Sequence, residues 1–274
     1  MTSHLIYFSQ SAELFEGPIF DLDNELLYFV SILDNLVYCY NPKTKEILSV
    51  KLDSPTSNVY LKSKKLVVVA SKNGFYEIDF STLKSSFKFQ IDINDNVRYN
   101  DGIKDAVGRY IIGTMGYPKV VEGIGNVYSY HNGTAKTIIK NTTISNGLAF
   151  TNDNSTLYFI DTPIKKVAKY NYNIDTGDVV FVDYVIEFNN IGHPDGMCMD
   201  KNGMLWIAEW GGACVSQWNP LNGEQLKKVE LPFINVTSCC FDNVGNLYVT
   251  TARDENKSDY TNGSGLFYIE LNKI

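Results

Sequence analysis

Six short apolar runs recur along this 274-residue chain at nearly even spacing, and that period leaves few folds open. They are Leu26-Leu27-Tyr28-Phe29, Leu66-Val67-Val68-Val69, Tyr110-Ile111-Ile112, Leu157-Tyr158-Phe159-Ile160, Leu205-Trp206-Ile207-Ala208 and Leu247-Tyr248-Val249. Anchors at positions 27, 66, 110, 157, 205 and 247 stand 39, 44, 47, 48 and 42 residues apart. Each run is strand-sized, rich in β-branched or aromatic residues, and preceded by a turn. A β-rich unit repeated every ~40–50 residues is the signature of a propeller rather than of a helical solenoid.

The flanking segments agree. Asp105-Ala106-Val107-Gly108, Asn152-Asp153-Asn154-Ser155, Asp200-Lys201-Asn202-Gly203 and Asp242-Asn243-Val244-Gly245 precede their runs with residues that bond their own backbone or accept positive φ. A second β-rich set follows, including Leu36-Val37-Tyr38-Cys39-Tyr40 and Cys214-Val215-Ser216-Gln217-Trp218. No long amphipathic helix pattern appears. The expectation is an all-β fold: a six-bladed β-propeller of four-stranded antiparallel blades, one domain over residues 1–274. Closing such a ring without an open edge predicts that Leu5-Ile6-Tyr7-Phe8 pairs beside the C-terminal strands.

Four polar residues keep step with this repeat. Glu16, Asn100, Asn146 and Asp195 lie ten or eleven residues before the anchors Leu27, Tyr110, Leu157 and Leu205. Equivalent positions of a radial repeat converge on one axis, where two carboxylates and two amides make an oxygen-rich site suited to a hard divalent cation. Taken singly, each motif also reads as a turn: Glu16-Gly17-Pro18, Asn100-Asp101-Gly102, Asn146-Gly147, Asp195-Gly196. Beside them, Arg98 offers a planar set of donors for the oxygen atoms of a substrate.

Charge and motif content exclude other chemistries. A formal net charge of −7 argues against a nucleic-acid partner. No apolar run reaches membrane-spanning length, so no membrane partner is expected. G-x-S-x-G, Walker A and G-x-G-x-x-G patterns are missing, and only His4, His131 and His193 are available as histidines. Five cysteines without a C-x-x-C pair, and an N-terminus without the apolar core of a signal peptide, lead to an expectation of reduced thiols and a cytoplasmic location. Nothing marks a large interface, and a monomer is expected.

At these motifs the chain resembles the family of senescence marker protein (regucalcin), gluconolactonase and luciferin-regenerating enzyme. The resemblance runs through Glu16-Gly17-Pro18, Arg98-Tyr99-Asn100-Asp101-Gly102 with Gly113-Thr114-Met115, and Ser145-Asn146-Gly147-Leu148-Ala149 with Asp161-Thr162. It continues through Pro194-Asp195-Gly196-Met197, Leu205-Trp206-Ile207-Ala208 and Trp210-Gly211-Gly212. It implies one divalent metal at the mouth of the central channel, held by Glu16, Asn146 and Asp195. It implies Asp195 as general base and substrate contacts from the Arg98, Asn100, Asp101 segment. The metal could be Ca²⁺, Zn²⁺, Mn²⁺, Mg²⁺ or Fe²⁺. The implied activity is metal-dependent hydrolysis of a small-molecule substrate, a sugar (aldono)lactone or related lactone. The alternatives are a non-catalytic Ca²⁺- or ligand-binding propeller, or an esterase or phosphotriesterase on the same site. After Gly-Thr-Met the chain reads Gly116-Tyr117-Pro118, where some sugar lactonases carry a glutamate.

Overall fold

Twenty-four strands and one short 3₁₀ turn, Thr162–Ile164, make up the computed structural model, which describes residues 2–189, 191–257 and 262–271. The chain opens with β1 (Thr2–Ser9) and then lays down four antiparallel four-stranded sheets in sequence. The first contains β2 (Phe15–Asp21), β3 (Leu26–Ser31), β4 (Leu36–Tyr40) and β5 (Ile47–Lys51); the second β6 (Thr56–Ser63), β7 (Leu66–Ser71), β8 (Gly74–Asp79) and β9 (Lys84–Phe89). The third contains β10 (Val97–Lys104), β11 (Tyr110–Gly116), β12 (Gly125–His131) and β13 (Thr134–Thr142). The fourth contains β14 (Ser145–Phe150), β15 (Thr156–Asp161), β16 (Lys166–Asn173) and β17 (Asp178–Glu187).

The remaining strands correct the expectation of six separate blades. β18 (His193–Met199), β19 (Leu205–Trp210), β20 (Cys214–Asn219) and β21 (Glu224–Glu230) join β22 (Asn235–Phe241), β23 (Leu247–Ala252), β24 (Ser264–Glu270) and β1 in one curled eight-stranded sheet. The join is the backbone pairing of Trp210 with Asn235, reinforced by Ala213 N–H donating to Ile234 O at 3.0 Å. Four four-stranded blades plus one continuous half-barrel sheet is therefore the observed arrangement. Backbone ladders form between main-chain groups, so side-chain pattern does not announce such a junction.

The predicted edge closure is present. β1 pairs antiparallel with β24, Leu5 opposite Phe267 and Ser9 opposite Ser264. Tyr7 stacks on Phe15 with centroids 5.9 Å apart and meets Tyr38 at 6.0 Å, which ties the first strand of the chain to the first four-stranded sheet.

All six anchor strands are almost wholly buried, which is why their apolar runs are continuous rather than alternating. The turns before them work as their composition demands. Asp200 Oδ1 accepts from Asn202 N–H (2.9 Å) and Met204 N–H (3.0 Å), and Asp242 Oδ1 does the same for Val244 and Asn246. Asp105 adds a buried ion pair: its Oδ2 takes Arg109 Nη1 at 2.8 Å and the Tyr172 hydroxyl at 2.6 Å, while its Oδ1 takes Arg109 N–H at 2.7 Å. Burial pushes the Asp105 carboxyl up, but the bonds from Tyr172 and Arg109 outweigh it and hold the group below the ordinary carboxylate range.

Candidate metal and active site

β2, β6, β10, β14, β18 and β22 touch one another in succession around the axis, and the candidate residues come from four of them. Each of the four sits where its strand slips register against its neighbour. The shifts fall between Glu16 and Ile19, Tyr99 and Gly102, Asn146 and Leu148, and Pro194 and Met197. A bulge turns a side chain that would otherwise lie between sheets toward the axis, and its unpaired residue bends the strand. The glycine after each ligand candidate belongs to the same device. A Cβ on Gly147 would lie 2.7 Å from Asp195 O and 2.8 Å from Met197 Cγ, so only glycine lets these two inner strands approach.

Glu16, Arg98, Asn100, Asn146 and Asp195 all line one cavity of about 440 Å³. Asp101 does not line it; partly exposed and one residue further along the bulge, it acts on Glu16, Asp195 and Tyr60 through its charge. His193, exposed at the start of β18, and Thr162 border the same cavity. A hydrogen-bonded relay runs along the cavity floor. Arg98 Nη1 donates to Tyr99 O (2.9 Å) and Asn100 Oδ1 (2.6 Å). Asn100 Nδ2 donates to Ser145 O (2.9 Å) and Asn146 Oδ1 (2.6 Å). Asn146 Nδ2 donates to Thr162 Oγ1 (2.8 Å), whose hydroxyl donates to Pro194 O (2.8 Å), next to Asp195. Asn100 thus orients Asn146 and is itself held by Arg98.

The electrostatics are unbalanced. Burial raises the Glu16 carboxyl well above its ordinary value, and the charges of Asp195 and Asp101 raise it further; the Gly17 N–H and Arg98 pull the other way. Burial and Asp101 likewise raise Asp195 against the opposing effects of Arg98 and the Gly196 N–H. Burial pushes Asp101 up to about 6, although its Oδ1 accepts from Gly102 N–H at 3.0 Å. Arg98 is itself lowered to about 10 by burial, with Glu16, Tyr117 and Asp195 opposing that shift. Asp195 and Asp101 both act on Glu16, Asp101 acts on Asp195, and Arg98 opposes the rise at Glu16 and at Asp195.

This donor set suits a hard divalent cation. Two buried carboxylates supply negative charge, and the Asn146 amide oxygen keeps a second lone pair after accepting from Asn100. Among the described residues no three His, Cys, Asp or Glu side chains are grouped to hold a metal alone, so such a site here needs the Asn146 amide. The Asp161-Thr162 motif gives Thr162 no role by sequence alone; its place in the relay depends on the 3₁₀ turn that follows β15. The apolar wall of Leu14, Ile32, Met115, Ile144, Pro163 and Trp210 was not expected, because those residues come from separate segments with no common spacing.

The family model described as SMP-30/Gluconolactonase/LRE-like region matches residues 14–253. A Bacillus subtilis protein assigned by name to the sugar lactone lactonases, YvrE, is 31% identical over 269 residues, covering 93% of this chain and 90% of that protein. Regucalcin of Xenopus laevis is 32% identical over 266 residues, covering 92% and 87% respectively. A solved luciferin-regenerating enzyme superposes with a TM-score of 0.88 at 26% identity, covering 99% of this chain and 96% of that one.

Proposed function

The chain belongs to the SMP-30/gluconolactonase/LRE-like family, and from that premise we propose that it is a metal-dependent hydrolase that opens a small lactone ring. The observation that carries this reading is the pair of buried carboxylates, Glu16 and Asp195, lining one cavity together with the oriented Asn146 amide and the Arg98 guanidinium. Glu16, Asn146 and Asp195 would hold the cation. When bound, it would supply Lewis acidity toward a carbonyl oxygen.

The remaining steps fall to the protein's own side chains. Arg98, fixed through Tyr99 O and Asn100 Oδ1, holds its guanidinium toward the cavity and orients the substrate carbonyl for attack. An Asp195 carboxylate oxygen takes a proton from the attacking water as hydroxide adds to the carbonyl carbon. The ring C–O bond then breaks, and the departing ring oxygen receives that proton from Asp195, giving a hydroxy acid. Asn100 and Thr162 keep Asn146 in place throughout.

Asp195→Asn and Glu16→Gln test this. Each variant is expected to lose about 10²–10⁴-fold in lactone hydrolysis, measured after chelation and reloading with Ca²⁺, Zn²⁺, Mn²⁺, Mg²⁺ or Fe²⁺. Hydrolysis that survives both substitutions refutes the mechanism.

A further inference from the structure

The cavity wall has a chemical character of its own. Above the polar floor stand Leu14, Ile32, Met115, Ile144, Pro163 and Trp210. Much of the floor's hydrogen-bonding capacity is already committed internally: both Asn100 donors, the Asn146 amide and the Thr162 hydroxyl all have protein partners. Leu14, Arg98, Met115 and Trp210 also line a second, outer cavity of about 800 Å³, so the two spaces adjoin across these four side chains. In the outer space Leu33 (43% exposed) and Val120 (54% exposed) turn apolar surface to solvent. In the inner cavity the charged side chains Glu16, Arg98 and Asp195 belong to the floor, whereas the outer space adds Glu13, Arg253, Glu255 and Lys257 around its apolar surface.

We propose that the site takes a lactone carrying an apolar alkyl or aryl substituent, in preference to a polyhydroxylated sugar lactone. This rests on the lactonase reading and narrows it. The lactone carbonyl lies over the polar floor, and the substituent runs outward between Met115, Ile144 and Trp210 toward Leu33 and Val120. A sugar lactone placed there would press ring hydroxyls against Met115, Ile144 and Pro163, which offer them no strong partner, losing hydrogen bonds those hydroxyls make in water. An alkyl chain gains at each step, because one added methylene in an apolar pocket is worth about 10–200-fold in discrimination at best.

The experiment compares δ-valerolactone, δ-decalactone and D-glucono-δ-lactone on the metal-loaded protein, and measures melting of the metal-free protein with each compound. The expected kcat/KM is at least about tenfold higher for δ-decalactone than for δ-valerolactone, with the sugar lactone below both. In the metal-free protein, δ-decalactone raises the melting temperature and the sugar lactone does not. Met115→Gln and Ile144→Asn, checked for an unchanged fold by circular dichroism, lower the decalactone-to-valerolactone ratio. Faster opening of the sugar lactone, a flat chain-length series, or stabilisation of the metal-free protein by the sugar lactone alone overturns the preference while leaving the lactonase reading intact. No opening of any of the three with any divalent metal sinks both.

Discussion

Replacing Asp101 by Asn removes one charge from an over-acidic centre, and its effect on stability can be worked from the structure. In the folded, metal-free protein the Asp101 carboxyl is raised by burial from an ordinary 3.8 to about 6. A carboxylate with a raised folded pKa costs stability wherever it is ionised, and that cost disappears as the pH falls to the unfolded value. A difference of about 2 units corresponds to about 3 kcal/mol at pH 8. Asp101 is partly exposed, so solvent screening reduces this to about 1.5–3 kcal/mol. The Asn amide oxygen can still accept from Gly102 N–H, and loss of the charge also relieves Glu16 and Asp195. Asp101→Asn should therefore raise the melting temperature of the chelated protein at pH 8 by about 3–12 °C, at ~2–4 °C per kcal/mol. At pH 5, where the folded wild-type carboxyl is already mostly protonated, the gain should fall to about half. Scanning calorimetry of both proteins in chelator at the two pH values decides the matter. A lower melting temperature for the variant at pH 8, or an equal shift at both, refutes the picture of a buried excess of negative charge.

Other expectations follow from the same structure. Asp105→Asn removes the carboxylate partner of Arg109, which keeps its bonds to Ile174 O and Asp175 O, and should cost about 1.5–3 kcal/mol at pH 7 by urea denaturation. Because the folded Asp105 pKa is depressed, its stabilisation is present above about pH 4 and is lost as the pH falls through the lower folded value, so the wild-type advantage should vanish in strong acid. Tyr7→Ala loosens the ring closure by deleting two aromatic contacts, which is expected to cost about 1–3 kcal/mol in the same assay; an unchanged midpoint would show that β1 contributes nothing. Gly147→Ala forces a Cβ against Asp195 O, so metal-dependent stabilisation and hydrolysis should fall together, and a variant retaining both would contradict the close approach of β14 and β18.

How much of this was legible beforehand differs by element. The anchor strands were readable because burial on both faces requires continuous apolar runs such as Leu66-Val67-Val68-Val69. The Asp-x-x-Gly turns were readable because a carboxylate that bonds its own backbone is a local matter, as at Asp200 and Asp242. Glu16, Arg98, Asn100, Asn146 and Asp195 could be picked out by phase and motif, and the structure brings all five to one cavity. Asp101 sits beside them in sequence yet off the cavity wall, because the bulge between Tyr99 and Gly102 separates the two neighbours in space.

What the amino-acid order determined by itself was the β-rich repeat, its turns and the polar residues in step with it, since those depend on local backbone chemistry and on burial. Tertiary structure alone decided that β19 and β22 fuse two strand sets into one sheet, through a main-chain pairing of Trp210 and Asn235 that no side-chain pattern encodes. It also decided the register slips that aim the ligand candidates inward, and the apolar wall assembled from Leu14, Met115, Ile144 and Trp210. Those features arise where distant segments meet, and the free energy that sets them belongs to contacts between segments rather than to any one stretch of chain.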